Sequence, residues 1–303
     1  MQSAMKDTLI KRGYIPPDKS WIIRMGVLDL VHGKKDCSEY LRRNQWKLSE
    51  DLKALQRACV EWRIGTTIDV GESATLYRLF RFASWKLGLH KHFMMQGTLR
   101  QRNICDNPEI VNWPLKDLLM LDGKDPKKRG TSQWASAAVL MGNQERLEDI
   151  KDPPFKLKDS YNAKKHWDEM NAAGLHWEPR YDETILLQAL AFLDKLNHRQ
   201  TRFRAQQAED YCFARAFGFI SKFVGKAKWP SLHGHESDRI VEMEKELKAA
   251  DERKNIETKD HRVMQAIAML QKTRGIPVRT LNRSAVNKSW PQFWNFLEDS
   301  THL

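Results

Sequence analysis

Five polar clusters stand out in this sequence, and in three of them side chains that bind anions stand beside side chains that transfer protons. Guanidinium and ammonium groups bind phosphate and carboxylate, whereas carboxylates and imidazole move protons. Apolar residues at helical spacing follow each cluster at once. The pattern therefore indicates an enzyme that holds small anions where structured elements begin. The clusters are Pro16-Pro17-Asp18-Lys19-Ser20, Gly71-Glu72-Ser73-Ala74-Thr75, Gly130-Thr131-Ser132-Gln133, Glu236-Ser237-Asp238-Arg239 and Asp260-His261-Arg262.

The apolar spacing predicts a helix after each cluster, with Gly88 and Gly142 ending the second and third of these helices. A helix N-terminus has unpaired N–H groups and a partial positive charge, so it attracts anions. Simple capping explains the Ser, Thr and Asp residues equally well, because their side chains accept bonds from those N–H groups. Capping does not explain the neighbouring cations, which are Lys19, Arg24, Arg239, His261 and Arg262.

Strand-like segments lie between the predicted helices, at residues 65–70 and 275–279. Their alternation with helices favours an α/β fold of sheets covered by helices. Residues 152–158, rich in Pro and Lys, indicate a loop. Residues 171–180, which include Gly174 and Pro179, indicate a linker.

The composition is that of a globular chain, with 303 residues, 41% hydrophobic and 30% charged, enough for two domains. The net charge of +12 favours anionic partners: nucleic acid, an anionic membrane or small polyanions. No segment has the roughly 20 apolar residues of a membrane span, and the first residues lack a signal-like apolar stretch. We therefore expect a cytoplasmic protein with no membrane partner. The scattered cysteines predict free thiols, and no histidine pair indicates a metal site.

Several matches in chain order resemble one enzyme family. The matching segments are, in order, Pro17-Asp18-Lys19-Ser20 with Arg24, Glu72-Ser73-Ala74-Thr75 with Arg78, Leu99-Arg100-Gln101-Arg102-Asn103, Thr131-Ser132-Gln133, Asp182, His235-Glu236-Ser237-Asp238-Arg239, Asp260-His261-Arg262 and Lys288-Ser289-Trp290-Pro291-Gln292-Phe293. Together they resemble the 5-enolpyruvylshikimate-3-phosphate synthase family (3-phosphoshikimate 1-carboxyvinyltransferase) of the shikimate pathway, which leads to chorismate and the aromatic amino acids.

The resemblance implies a two-domain inside-out αβ barrel of the enolpyruvyl transferase type. Residues 19–170 would form the first αβ domain. Residues 1–18 and 171–303 would form the second, with the ligand cleft between them. The chain is shorter than typical members, so the second domain is expected to be reduced. The implied partners are two small anions, phosphoenolpyruvate and shikimate 3-phosphate, without a cofactor or metal. We expect a monomer.

The resemblance also implies roles for individual residues. The residues implied in catalysis are Lys19, Asp182, Glu236 and His261. Those implied to bind shikimate 3-phosphate are Lys19, Ser20, Arg24, Thr131, Ser132, Gln133 and Asp182. Those implied to bind phosphoenolpyruvate are Lys19, Ala74, Arg102, Gln133, Arg239, Arg262 and Lys288.

Two residues depart from the family pattern beside the phosphoenolpyruvate segment. Glu72 stands where the family has asparagine, and Ala74 stands where it has glycine. An acid next to an anionic ligand is unfavourable unless a cation such as Arg102 neutralises it. The extra methyl group of Ala74 is expected to exclude the herbicide glyphosate more than the substrate.

Other interpretations of the same residues remain open. Singly, Glu236 with Arg239 could form a surface salt bridge, and Asp182 could be a plain helix cap. A degenerate, shortened paralogue would bind anions without turnover, and a basic nucleic-acid-binding protein would use the +12 charge. The UDP-N-acetylglucosamine enolpyruvyl transferases are a weaker match, because Cys105 lies in a different context from their reactive loop cysteine.

Overall fold

Helices form most of the residues that the computed structural model describes, which are 2–123, 131–232 and 238–303. The helices are α1 (Gln2–Lys11), α2 (Lys19–Val31), α3 (Asp36–Arg43), α4 (Glu50–Ile64), α5 (Ala74–Lys86), α6 (Leu115–Leu118), α7 (Gln133–Leu140), α8 (Phe155–Ala172), α9 (Glu183–Leu196), α10 (Tyr211–Ala216), α11 (Lys222–Lys228), α12 (Arg239–Asp251), α13 (His261–Thr273) and α14 (Phe293–Asp299). The strands are β1 (Thr67–Gly71) and β2 (His92–Met95). Short 3₁₀ helices connect several of them.

The chain divides into two units, each with its own core. The central unit is Asp18–Arg180, and the terminal unit combines Met1–Pro17 with Tyr181–Leu303. The sequence places the corresponding boundaries at 18/19 and 170/171. Among the described residues, each unit contains one large hydrophobic core cluster.

The central unit is built around one parallel strand pair and the helix that connects it. β1 pairs with β2 in parallel, with Thr67 opposite His92 and Ile68 opposite Phe93. Parallel strands need a crossover connection, which α5 provides. The other helices pack against one another and against this βαβ unit, with α7 lying on α5 and α8, and α2 on α4 and α8.

A buried carboxylate ties several segments of the central unit together. Asp29 on α2 accepts hydrogen bonds from the indole N–H groups of Trp167 and Trp177, at 2.8 and 3.0 Å, and from the Cys37 amide at 2.8 Å. Burial raises the pKa of Asp29, and these three donors oppose the rise. The donors satisfy a group that would otherwise be costly to bury.

The terminal unit surrounds one central helix. Every residue of α13 from His261 to Gln271 is buried, and α9, α10, α12 and α14 pack around it. A helix that is buried on all sides is normally apolar throughout. α13 nevertheless carries buried polar groups, notably Arg262 and Gln265, so these groups need partners inside the protein or in a ligand.

The structure tests the local predictions. Helices begin at the five polar clusters as far as these are described, and Gly88 and Gly142 follow helix ends with φ of 66° and 85°. Residues 67–70 of the strand predicted at 65–70 lie in β1, whereas the loop predicted at 152–158 is wrong from Phe155 onward, where α8 begins. The strand predicted at 275–279 is wrong: one isolated bridge, from Ile256 to Thr280, lies next to it. The described residues contain one two-stranded sheet, and the inside-out barrel stays a prediction.

The packing of α11 gives a test of the fold. A Cβ atom at Gly225 would lie 2.2 Å from the Tyr211 ring, so Gly225→Ala should lower the free energy of unfolding by about 1–3 kcal/mol. Urea unfolding followed by circular dichroism measures this. The control is Ala227→Ser, an exposed position of the same helix, which should change stability by less than about 0.5 kcal/mol. An unchanged midpoint for Gly225→Ala would contradict the packing.

Candidate functional site

Six helices begin at residues of the predicted site. Asp and Ser side chains cap most of them: Asp18 accepts from Ser20 N at 2.9 Å, and Asp238 accepts from Val241 N at 3.1 Å. These caps use N–H groups that could otherwise bind an anion. Anion binding therefore depends on the side chains that stand beside the caps. The first helical or capping residues concerned are Lys19, Ala74, Gln133, Asp182, Arg239 and His261.

In the central unit, Lys19 is held by a carboxylate that sequence reasoning missed. Its Nζ donates to Asp51 Oδ2 at 2.7 Å, and the two side chains are 25% and 12% exposed. The pair fixes the ammonium group at the start of α2. Lys19 keeps enough exposure to reach a small ligand.

Arg24 lies one turn further along α2 and is buried. Its Nε donates to Ser160 Oγ at 2.7 Å, its Nη1 to Ser20 O and Oγ at 2.8 and 2.6 Å, and its Nη2 to Lys156 O at 2.8 Å. Burial lowers the pKa of Arg24, and nearby Asp159 and Asp18 oppose this shift. These contacts give Arg24 and Ser20 a structural role. A substrate would have to bind them in addition to these contacts.

The starts of α5 and α7 meet through a buried polar network. Arg78 donates to Asp122 Oδ2 and to Gln133 Oε1, both at 2.6 Å. Gln133 Nε2 in turn donates to Thr75 Oγ1 at 2.7 Å. Burial lowers the pKa of Arg78, the Asp122 carboxylate opposes this, and the charge of Arg102 adds to the lowering. Residues from three predicted motifs therefore lie together.

The remaining central-unit residues lie around this network. Thr131 Oγ1 accepts from Gln133 N at 3.3 Å, whereas Ser132, the residue before α7, makes no side-chain cap bond. Ala74 O accepts from Arg78 Nη1 at 3.4 Å. Arg102 follows the 3₁₀ helix Gly97–Gln101.

One carbonyl oxygen connects the α2 group with α7. Lys156 O accepts from Arg24 Nη2 at 2.8 Å and from Ser136 Oγ, in the first turn of α7, at 3.4 Å. The starts of α2, α5 and α7 therefore belong to one region of the central unit.

In the terminal unit, Arg239 and Asp260 form a buried ion pair. Arg239 Nε donates to Asp260 Oδ2 at 2.8 Å, with side chains 11% and 1% exposed. The other oxygen, Oδ1, caps α13 by accepting from Arg262 N and Val263 N at 2.9 and 3.2 Å. Burial would raise the pKa of Asp260, but the charges of Arg239 and His261 and these hydrogen bonds outweigh it and hold that pKa well below its usual value.

Arg262 lies in the same cluster and has unmet donors. The residue is 6% exposed, and its Nε and Nη1 find no hydrogen-bond partner among the described residues. Asp210 is close enough for its pKa to be lowered by the Arg262 charge, although burial raises it overall. The Asp210 oxygens instead accept from Gln188 Nε2 and from the amides of Gln206 and Gln207.

Two contacts show how far this cluster extends. Burial and the charge of Asp260 raise the pKa of the Cys212 thiol, to about 12 overall, and the charges of Arg239 and Arg262 oppose the rise, so all three charges lie near α10. Gln265, one turn after Arg262, donates to Ser289 Oγ at 3.1 Å. That bond brings the residue after Lys288 to the same helix.

The structure places the last predicted residues as follows. His261 is the first residue of α13 and is 6% exposed. Asp182 caps α9 by accepting from Ile185 N at 2.9 Å. Lys288 ends the 3₁₀ helix Arg283–Lys288. Glu236 lies outside the described residues.

Comparison with family models, curated proteins and solved structures finds no match. Within residues 2–123, 131–232 and 238–303, no helix is both long and apolar enough to cross a membrane. The same residues contain no group of three or more His, Cys, Asp or Glu side chains placed to hold a metal ion.

Sequence reasoning missed the acidic residues that face the predicted cations and the amide of Gln265 beside them. Asp51, Asp122 and Asp210 are far in sequence from the charges that they face. No local pattern marks them, because the pairing exists only after the helices pack. Gln265 could have been found, since it lies three residues after Arg262 and shares its helix face.

The ion pair predicts a pH-dependent stability. The folded pKa of Asp260 is lowered, so its contribution is complete above the unfolded value of about 3.9 and is lost as pH falls through the folded value. Asp260→Asn should therefore cost about 3 kcal/mol at pH 7, with the difference from wild type shrinking below about pH 4. Urea unfolding at several pH values measures it. The surface variant Asp251→Asn, which loses its pair with Arg274, should cost under about 1 kcal/mol; a pH-independent Asp260→Asn effect would contradict the assignment.

Substitution by Met should affect the stability of the protein differently at the two clustered arginines, Arg239 and Arg262. Arg262→Met removes two unmet buried donors while Asp210 keeps its hydrogen bonds, so the variant should unfold at an equal or higher urea concentration. Arg239→Met leaves Asp260 buried without its partner and should lose about 3–5 kcal/mol. Equal losses in both variants would mean that Arg262 is paired within the native protein.

Proposed function

We propose that the chain is an enolpyruvyl transferase that joins phosphoenolpyruvate to the 5-hydroxyl of shikimate 3-phosphate and releases phosphate. The observation that carries the proposal is the buried Arg262 guanidinium, whose Nε and Nη1 donate to no described residue. Guanidinium groups bind carboxylate and phosphate through two parallel N–H···O bonds. An oxyanion would meet the donors that the protein leaves unmet.

The neighbours of Arg262 support an anion of this kind. Arg239 is the first residue of α12, and its Nε lies 2.8 Å from Oδ2 of Asp260, the residue that caps α13. Two helix N-termini and two guanidinium groups therefore face the same cluster, and helix N-termini favour negative charge. The Arg239, Asp260-His261-Arg262 and Lys288 matches all belong to the phosphoenolpyruvate part of the proposed site.

The reaction requires two proton transfers. The 5-hydroxyl oxygen bonds to C2 of phosphoenolpyruvate and loses its proton, while the methylene carbon gains one. The resulting tetrahedral intermediate then regains the methylene double bond as a proton leaves the methyl carbon and the C–O bond to phosphate breaks. We assign the hydroxyl proton to Asp182 and the carbon protonation to Lys19 or Glu236, with His261 beside the phosphoenolpyruvate cations.

Positioning should contribute more than any single proton carrier. General acid–base catalysis typically gives about 10²–10⁴-fold, whereas alignment of two substrates can contribute about 7–11 kcal/mol. The network of Thr75, Arg78 and Gln133 supports such alignment, because it locks the starts of α5 and α7 together. We propose that Gln133, with Thr131 and Ser132, holds shikimate 3-phosphate there. We also propose a cytoplasmic enzyme, since free cysteines suit a reducing compartment.

Phosphate release tests the proposal. The wild type should release phosphate from phosphoenolpyruvate only when shikimate 3-phosphate is present. Lys19→Met and Arg262→Met should each lower kcat/KM at least about 100-fold, because each removes a cation that stabilises developing charge. A coupled enzymatic assay for inorganic phosphate measures this, with circular dichroism to show that each variant is folded.

Matched surface variants control for charge and length. Lys53→Met loses an exposed pair with Glu50. Arg274→Met, at the far end of α13, loses an exposed pair with Asp251. Both should keep near-normal rates. Wild-type rates in Lys19→Met and Arg262→Met, with folded proteins, would refute the assigned residues.

A second function, anion binding without turnover, is favoured by one specific observation. Lys19 is paired with Asp51, and all the nitrogens of Arg24 donate within the protein. A decayed paralogue would show no phosphate release, yet both anions would raise its thermal unfolding midpoint. Loss of that thermal shift in Arg262→Met would locate the binding.

A further inference from the structure

The positive charge of the terminal unit is concentrated in one segment. That unit has 23 Lys and Arg against 17 Asp and Glu, a net charge of +6. Residues 195–229, named the basic segment below, have eight Lys and Arg against two Asp and Glu, which is also +6. The rest of the unit is therefore neutral. A charge so localised creates a strong potential over a single part of the surface.

The basic segment folds onto itself around an aromatic cluster. The Phe203 ring centroid lies 4.9 Å from that of Phe213 and 5.7 Å from that of Phe219. Lys228 Nζ donates to Ala205 O at 2.8 Å, which joins α11 to the preceding loop. α11 and the loop that contains Arg202 and Arg204 therefore lie in one region of the unit.

The loop before α10 turns its arginines outward. Arg202 and Arg204 are exposed. Phe203, which lies between them, is half-buried, and Ala205, which follows them, is buried. This alternation is that of an extended chain with one face on the core. The two guanidinium groups point away from the aromatic cluster.

α11 presents an apolar face between lysines. Phe223 is 80% exposed and Val224 is 54% exposed, while Lys222 and Lys226 on the same helix are also exposed. The opposite side of α11 rests on the unit through Gly225, whose missing side chain allows close contact with the Tyr211 ring. The helix thus lies flat and directs its phenylalanine outward.

We propose that this surface, consisting of α11 with Arg202 and Arg204, binds the surface of an anionic lipid bilayer, contrary to the sequence expectation of no membrane partner. Exposed apolar side chains flanked by lysines are the pattern of helices that lie in the membrane interface. Basic residues near anionic headgroups add an attraction that salt weakens. Phe223 and Val224 would enter the headgroup region while the lysines and arginines contact lipid phosphates and carboxylates.

Charge and side-chain shape favour a bilayer over other occupants. A second copy of the chain would bring two basic segments together, each with a net charge of +6, which is repulsive. Single-stranded nucleic acid stacks successive bases on several exposed rings. In this segment Phe203, Phe213 and Phe219 pack against one another, which leaves Phe223 as the ring that is strongly exposed.

Vesicle co-sedimentation tests the proposal. The full chain should bind vesicles of 70% phosphatidylcholine and 30% phosphatidylserine at 100 mM NaCl. Binding should fall at least tenfold on pure phosphatidylcholine vesicles or at 500 mM NaCl. Phe223→Ser with Val224→Ser, and separately Lys222→Glu with Lys226→Glu, should each weaken binding about tenfold or more.

The controls are Ile64→Ser, an apolar residue of α4 that is 82% exposed, and Lys165→Glu on α8; both should bind as wild type does. Two results would overturn the proposal. One is equal vesicle binding by the α11 variants and wild type. The other is a wild type that does not bind vesicles but forms either a complex with a 20-nucleotide oligo(dT) or a dimer in sedimentation velocity, when the α11 variants do not.

Discussion

One buried carboxylate organises the part of the terminal unit in which the candidate site lies. Asp260 caps α13 with one oxygen and holds Arg239, the first residue of α12, with the other. It therefore fixes the starting points of two helices relative to each other. A neutral side chain could supply the cap, but it could not balance a guanidinium that is almost fully buried. The position of Arg262, two residues later on α13, follows from the same anchor.

The two arginines of this cluster differ in what the protein gives them. Arg239 receives both an opposite charge and a hydrogen bond from Asp260. Arg262 Nε and Nη1 have no hydrogen-bond partner among the described residues. Asp210 offers a nearby opposite charge, but its oxygens already accept from Gln188, Gln206 and Gln207. Charge balance alone does not satisfy a planar group with directed N–H donors. A ligand suited to Arg262 must therefore bring oxygen acceptors, as carboxylates and phosphates do.

Local sequence signals predicted the helix starts and failed where tertiary contacts decide. An aspartate or serine before an apolar periodicity caps a helix through bonds within three residues, so Asp18, Asp238 and Asp260 could be interpreted from the sequence. The strand predicted at 275–279 depended on pairing with a distant segment, which reduces to the single Ile256–Thr280 bridge. The pairs Lys19–Asp51 and Arg78–Asp122 likewise need packed helices. The sequence therefore predicted where helices begin, but not how side chains from distant segments lie relative to one another.

The net charge of +12 and the chemistry of the candidate site are separate properties. Outside residues 195–229 the terminal unit is electrically neutral, yet it contains Arg239, His261, Arg262 and Lys288. The site could therefore bind an anion in a part of the unit with no excess charge, because its strength comes from desolvated, directed donors. Conversely, the cations that the basic segment carries on α11 and at Arg202 and Arg204 are exposed, so their attraction acts over a Debye length of about 8–10 Å and is screened by salt. Raising ionic strength should accordingly weaken attraction to the segment well before it affects an oxyanion held by Arg262.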